Sequence, residues 1–488
     1  MKTAIRWNTA NRSFLSSRYS PLMKLFKKIL IANRGEIAVR IIRACREMDI
    51  RTVAVFSDIE REALHVRLAD ESICIGPANP SYSYLNIPAV LSAAEVTDSE
   101  AIHPGYGFLS ENPQFAEACA TSGITFIGPT SDNIRSGGDK SKARQIMKRK
   151  GIPVVPGSDG PVTTEEAALK AVKKIGFPVI FKASAGGGGR GMRIVSEESE
   201  LIQAFHMAQR EAVAAFSNGE LYVEKYLSSI KHVEVQIISA GKGNVIHLGE
   251  RDCSVQRRHQ KLIEESPSPI VTEKFRKKLG ELAVKAAKAL KYKNVGTIEF
   301  IVDQDQNIYF MEINTRVQVE HPVTEEITGV DIIKEQIKIA AGLPLSYKQS
   351  QIKPSGHSME CRINAEDPEK FIPSPGRITL FVPPGGPGVR VDTAAYSGWV
   401  VPSQYDSMIA KLIVRGKNRE ESISRMKRAL DEFIIEGIRT TIPFHKKVLN
   451  NPDFLKGNFN TDLVEKMLHP EVEKPRPAEA PDEKVEAS

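Results

Sequence analysis

The chain has 488 residues, 41% hydrophobic and 26% charged, which is room for several separately cored domains in an ordinary globular composition. No apolar run approaches the ~18 residues needed to cross a bilayer. A formal charge of +7, scattered and without an aromatic-interleaved basic patch, argues against a nucleic-acid partner and suits a small anionic substrate.

In chain order, the first acidic residue is Glu36, and Lys2, Arg6, Arg12 and Arg18 are spread through a Ser/Asn-rich stretch. Organellar transit peptides have this composition. The preferred expectation is an extended start, with residues 1–23 disordered and a folded domain opening at Met23. KKILIANRGEIAVRIIRACREMDIRTVAVFS (27–57) reads as strand, turn, helix, strand. The alternation repeats over 100–129, so 24–137 is expected to be an open α/β domain. A basic helical segment, DKSKARQIMKRKGI, leads out of it. Two apolar runs, FPVIFKASA and MRIVS, flank a glycine cluster, and HVEVQIIS is a strand. EKFRKKLGELAVKAAKALKY (273–292) is a long helix whose basic cluster is expected to face solvent. Residues 350–469 form a third region of Pro/Gly turns and short strands. The Pro/Glu/Ala-rich end, 470–488, reads as a disordered tail.

Five cysteines, Cys45, Cys74, Cys119, Cys253 and Cys361, lie far apart with no C-x-x-C pair. This argues against a disulfide framework or thiolate zinc site and fits a reducing, cytoplasmic compartment. Cys253 sits among polar residues, but nothing local marks it as an activated thiolate.

Gly186, Gly188 and Gly191 satisfy G-x-G-x-x-G. A dinucleotide site needs a strand before that motif and a helix after it, whereas the β-like MRIVS follows here. There is no G-K-[ST] for a Walker loop. What remains is a hairpin with a nearly bare backbone tip, able to fold over a polyphosphate and offer it N–H groups. Lys182, entering the loop, supplies a point charge.

A stronger signal is TIEFIVDQDQNIYFMEINTRVQVEHP (297–322). With DQDQ as the turn, centred between Asp305 and Gln306, Glu299 and Glu312 oppose one another. Strand alternation puts Asn314 and Arg316 on the face of Glu312. Two carboxylates and a carboxamide converging there need a cation, and hard oxygen donors suit Mg²⁺ or Mn²⁺ on nucleotide phosphates. Alternation likewise sets His232, Glu234 and Gln236 opposite Val233 and Val235. No H-E-x-x-H spacing supports zinc.

The segments ILIANRGEIAVRIIRA, HPGYGFLSEN, GDK, KASAGGGGRGM, ERDCSVQRRHQK, MEINTRVQVEHPVTE and MECRINAEDP closely resemble the biotin carboxylase subunit of biotin-dependent carboxylases, from about residue 24 to 469. Ala185, where many relatives begin the glycine run, is a small departure. The resemblance implies an ATP-grasp fold, α/β and α+β. An open α/β domain (24–137) would precede an ATP-grasp domain (138–342) with its lid at about 154–227. A mixed β-rich domain (343–469) would follow.

The implied activity is ATP-dependent carboxylation of biotin with bicarbonate, through carboxyphosphate. By the same resemblance, Lys140, Lys182, Gly188 and Gly189 contact ATP phosphates. Glu224, Lys225, Tyr226 and Leu227 hold the adenine, with His232 and His259 nearby. Glu299 and Glu312 bind two Mg²⁺ or Mn²⁺ ions, assisted by Asn314. Lys261, Arg316 and the backbone of Val319 bind bicarbonate, Glu320 is the base, and Arg362 steadies the biotin oxygen. A homodimer is also implied. No AMKM-like biotinylation motif or carboxyltransferase region appears, so a biotin carboxyl carrier protein and a carboxyltransferase are expected as separate chains. The eventual acceptor would be acetyl-CoA (as in fatty acid biosynthesis), propionyl-CoA, pyruvate or 2-oxoglutarate. A carbamoyl-phosphate-type ligase would share the phosphate and metal sites but not RVQVEHP together with MECRINAEDP. A non-catalytic module would be expected to lack Lys261, Glu320 or Arg362.

Overall fold

The computed structural model describes residues 25–183, 192–216 and 218–469. The basic extension, Met23, the tail and the run containing Gly188 and Gly189 lie outside these residues. No helix among the described residues is long and apolar enough to cross a membrane.

Strands β1 (Lys28–Ile31), β2 (Arg51–Phe56), β3 (Glu71–Cys74), β4 (Ala101–His103) and β5 (Thr125–Phe126) form a parallel sheet, ordered β3-β2-β1-β4-β5. Ile29, Leu30 and Ile31 are fully buried, as a parallel strand covered on both faces requires. The helix Gly35–Glu47 turns Ile37, Ala38, Ile41, Ile42 and Cys45 into the core, which completes the expected unit over 27–57.

Strands β6 (Val179–Ala183), β7 (Arg193–Val195) and β8 (Leu221–Lys225) form a small antiparallel sheet with β6 in the middle. A strand, not a helix, follows the glycines, so the dinucleotide reading of that motif is excluded by context.

An eight-stranded antiparallel sheet forms the centre. Its strands include β9 (Lys231–Gly241), β10 (Asn244–Arg257), β11 (Gln260–Ser266), β12 (Asn294–Val302), β13 (Ile308–Asn314) and β14 (His357–Asn364). The order is β13-β12-β9-β10-β11-β14, continued by Met408–Gly416 and Val389–Thr393. Strands of the third region thus extend the same sheet. Thr272 caps the helix Glu273–Ala289, accepting from the Phe275 N–H. Its Leu279, Ala283, Ala286 and Ala287 pack on Val233, Val235 and Ile237, while Lys274, Lys277 and Lys278 face solvent. That packing takes up the apolar face of β9 and leaves His232, Glu234 and Gln236 to the other side.

The β12–β13 hairpin pairs Glu299 with Glu312, Ile298 with Ile313 and Thr297 with Asn314. Nearer the turn, however, Val302 pairs with Ile308, so the ladder centres on Asp305 rather than between Asp305 and Gln306. A register shift between Glu299 and Phe300 adds one residue to the second strand and restores the carboxylate pair. Without that bulge Met311 would oppose Glu299.

Candidate active site

The polar faces of β9, β12 and β13 meet around one ammonium group. Lys261 Nζ donates to Glu234 Oε2 at 2.6 Å, Glu299 Oε1 at 2.9 Å and Glu320 Oε1 at 2.6 Å. Glu234 and Glu320 are wholly buried and Glu299 is nearly so. Such carboxylates stay ionised only beside cations. Further support for Glu299 comes from His232 Nε2 at 2.9 Å, Asn314 Nδ2 at 2.7 Å and Gln318 Nε2 at 3.0 Å. Burial pushes the Glu299 carboxyl up, but Lys261 and His232 overcome it and hold the group well below the usual carboxylate range. Glu320 is likewise held well below that range, against its burial, by Lys261, Arg362 and Arg251. Lys261, despite its burial, is driven well above the usual amine range by Glu234, Glu299 and Glu320.

Glu320 begins the helix His321–Thr328 without capping it: its side chain makes no bond to the helix N–H groups. The carboxylate turns inward instead, with Lys261 on one oxygen and Arg362 Nη2 at 3.0 Å on the other. Arg362 on β14 also donates Nε to Glu264 Oε1 at 2.6 Å. The loop before the helix is tied at both ends. Lys411 Nζ donates to the Val319 carbonyl at 2.8 Å, and Glu111 Oε1 accepts the Thr315 N–H at 2.9 Å. Arg316 Nε reaches Glu111 Oε2 at 2.8 Å, and its Nη2 reaches Asn314 Oδ1 at 3.2 Å.

Lys140 opens the helix Lys140–Arg149, whose N-cap is Asp139. A cation is disfavoured at a helix N-terminus, and Lys140 Nζ lies 2.7 Å from Glu312 Oε2. Between β6 and β8, Lys182 Nζ contacts Glu224 Oε2 at 2.6 Å, and Arg144 shares that carboxylate. Lys225 is fixed by donating Nζ to the Phe177 carbonyl at 2.6 Å, and the Tyr226 N–H donates to the Pro178 carbonyl at 3.0 Å. Leu227 lies two residues beyond the end of β8. His259 sits with Arg258 at the β10–β11 turn, both exposed and at positive φ (65° and 48°), and its imidazole is pushed below the usual range by partial burial and by the nearby Lys182, His232 and Lys140. The structure therefore gathers Lys261, Glu299, Glu320, Arg362, Asn314, Arg316, Val319 and His232. Lys140 with Glu312 adjoins them, and Lys182 with Glu224 stands on the three-stranded sheet.

Glu299, Glu312 and the Asn314 carboxamide present hard oxygen donors side by side, a set that fits Mg²⁺ or Mn²⁺. Lys140 on Glu312 marks where positive charge is called for. His232, Glu234 and Glu299 also bring three donor atoms within 4.8 Å of one another. The Lys261 ammonium already bonds both of those carboxylates, so it supplies the charge in that space. Cys253 Sγ is 3.9 Å from Glu320 Oε1, but burial pushes its thiol well above the ordinary range, which rules out a resting thiolate.

Sequence reasoning did not assign Arg251, Gln318, Glu264, Lys411, Glu111 or Arg144. Arg251 is fully buried and donates to Glu234 at 2.5 Å, Gln236 at 2.8 Å, Thr324 at 3.0 Å and Thr297 at 3.2 Å. Its available signal was a charged residue on a long strand beside a polar-faced neighbour.

This combination of a three-stranded sheet, a central eight-stranded antiparallel sheet and paired acids beside lysines is that of an ATP-grasp enzyme. Three family models match in succession. Residues 25–134 match "Biotin carboxylase, N-terminal domain" and 139–348 match "Carbamoyl-phosphate synthase L chain, ATP binding domain". Residues 360–466 match "Biotin carboxylase C-terminal domain". Biotin carboxylase 1 of Bacillus subtilis is 57% identical over 443 residues, covering 90% of this chain and 98% of that protein. The chain belongs to the biotin carboxylase family. Among solved structures, a biotin carboxylase–beta-gamma-ATP complex from Campylobacter jejuni superposes with TM-score 0.87 at 53% identity, covering 90% and 99% of the two chains. The biotin carboxylase domain dimer of Hydrogenobacter thermophilus 2-oxoglutarate carboxylase, with MgADP, ADP and bicarbonate, gives 0.87 at 52% identity, covering 91% and 98%.

Proposed function

We propose that this chain carboxylates biotin, using ATP and bicarbonate through carboxyphosphate and releasing ADP and phosphate, with the residue roles that follow. The observation that carries the reading is the Lys261–Glu320–Arg362 line. A buried base stands there between a cation suited to bicarbonate and a cation suited to an enolate-like oxygen.

Lys140 and Lys182 receive the phosphates, together with Gly188 and Gly189 of the lid. Glu224 to Leu227 hold the adenine, with His232 and His259 beside the nucleotide. Glu299, Glu312 and Asn314 hold two Mg²⁺ or Mn²⁺ ions, whose chemistry is to neutralise phosphate charge during transfer. Lys261, Arg316 and the Val319 backbone seat bicarbonate, and the Arg316 guanidinium suits a planar carboxylate in a two-pronged fork. Glu320 takes the bicarbonate proton. In the resting site both its oxygens are engaged by cations, which keeps it ionised and weakly basic. When bicarbonate draws Lys261 away, Glu320 loses one of those cations and becomes a stronger base. Arg362 then meets negative charge developing on the ureido oxygen.

The domain layout 24–137, 138–342 and 343–469 and the lid at about 154–227 belong to this reading. So does a homodimer, supported by the dimer of the Hydrogenobacter domain. The partners of this reading are a biotin carboxyl carrier protein and a carboxyltransferase. All five cysteines are unpaired, which supports a reducing, cytoplasmic setting.

The test is ADP release by the purified chain with Mg²⁺. Turnover is expected to need bicarbonate, to rise with free biotin and to stop on chelation. ATP hydrolysis indifferent to bicarbonate and biotin would overturn the reading.

A further inference from the structure

Behind Arg362 lies a second pair of acids with no role in the scheme above. Glu264 on β11 and Glu360 on β14 are direct cross-strand partners, both fully buried. Glu264 Oε1 accepts from Arg362 Nε, whereas Glu264 Oε2 and both Glu360 oxygens have no hydrogen-bond partner among the described residues. Strand alternation places Glu360 and Arg362 on one face, and Arg362 pairs across to Lys411. The groups facing the pair are Arg362, Lys411, Glu320 and Lys261, with the neutral Cys253 and Tyr106. The helix Arg419–Glu432 covers the opposite, apolar face.

We infer that Glu264 is a positioning residue for biotin carboxylation, holding Arg362 by its Nε edge, and that Glu360 beside it remains a neutral acid. The inference rests on the reading of Arg362 as the group that meets biotin. Two carboxyls opposed across a dry ladder cannot both ionise. The one bonded to a guanidinium keeps its charge and the other keeps the proton. Lys411 and Arg362 pull Glu360 down without outweighing its burial, since neither bonds its oxygens and the Lys411 ammonium is engaged by Glu36 at 3.0 Å and by the Val319 carbonyl. With Nε fixed, Arg362 points its Nη groups at Glu320 and at the space where the ureido oxygen arrives. Arg362 can then leave Glu320 for biotin without losing every anionic partner. Burial pushes Glu264 up to about 7 and Glu360 well above the usual range, the order this division requires. Glu264 is therefore ionised, and the hold complete, above about pH 7.

The test uses the whole chain, with bicarbonate-dependent ATPase and biotin carboxylation measured from pH 6 to 9. Wild type is expected to show a limb near pH 7 in kcat/KM for biotin that is missing from the ATPase without biotin. Glu264→Gln is expected to lower kcat/KM for biotin by roughly 10- to 100-fold, mostly through KM, and to abolish the limb. Its ATPase without biotin stays within about twofold, because Glu264 bonds Arg362 and neither of the bicarbonate cations Lys261 and Arg316. Glu360→Gln copies a neutral acid and is expected to stay within about twofold at pH 8. Equal damage from Glu360→Gln at an unchanged melting temperature would show that Glu360 is charged and overturn the assignment. So would a Glu264→Gln enzyme that keeps the limb, or a wild type without one, a result that stands even if Glu264→Gln fails to fold. A wild type unresponsive to biotin is a different outcome, since it removes the role of Arg362 itself.

Discussion

Replacing Lys261 by Met removes the one ammonium that joins three buried carboxylates. Breaking a buried pair from one side costs about 3–5 kcal/mol. The lower end applies, because each acid keeps a partner: Glu234 keeps Arg251, Glu320 keeps Arg362, and Glu299 keeps His232, Asn314 and Gln318. A loss of about 3 kcal/mol corresponds to a fall of roughly 10 °C for the domain concerned. The pH dependence carries the argument. In the wild type, Glu299 and Glu320 titrate well below the normal range. Their contribution is therefore full above the unfolded-state pKa of about 4.5 and is lost only as pH falls through the lowered values. Without Lys261, burial dominates and the folded-state values rise. The variant then suffers most at high pH, and protonation relieves it as pH falls. Melting curves in EDTA without nucleotide are expected to separate the two proteins by roughly 10 °C at pH 8.5 and by clearly less at pH 5.5. A gap as wide or wider at pH 5.5 would refute the idea that Lys261 works by compensating buried charge.

Glu320→Gln is expected to cut biotin carboxylation by about 10²- to 10⁴-fold with ATP affinity nearly unchanged; an equal loss of ATP binding, read by calorimetry, would remove it as the base. Arg316→Lys loses the two-pronged fork and should raise KM for bicarbonate by about tenfold or more, with KM for ATP steady. The reverse split would place Arg316 on the nucleotide. Cys253→Ala should retain carboxylation within about tenfold, since its buried thiol is not ionised. A collapse in rate at an unchanged melting temperature would restore a chemical role for the thiol.

Much of the site was legible because it follows short-range rules. Alternation along HVEVQ and TIEF places polar side chains on one face, and the helix 273–289, apolar along one stripe, marks the other as core. The Glu299–Glu312 pair was found by counting from a turn, although it arises from a turn one half-step away and a compensating bulge. A bulge leaves no mark in residue type, so only the folded ladder reveals it. Arg251 read as one more charge in a polar run and is instead wholly buried among four partners on three other elements, Thr324 being the most distant in sequence. Nor did the chain announce that β14 and Met408–Gly416 would extend the nucleotide-side sheet, bringing Arg362 to Glu320 and Lys411 to Val319. Periodicity decides which face of an element is polar, because that depends on neighbours two to four positions away. Which polar faces confront one another depends on packing between segments tens to hundreds of residues apart, and the folded chain alone fixes which buried charges meet a partner.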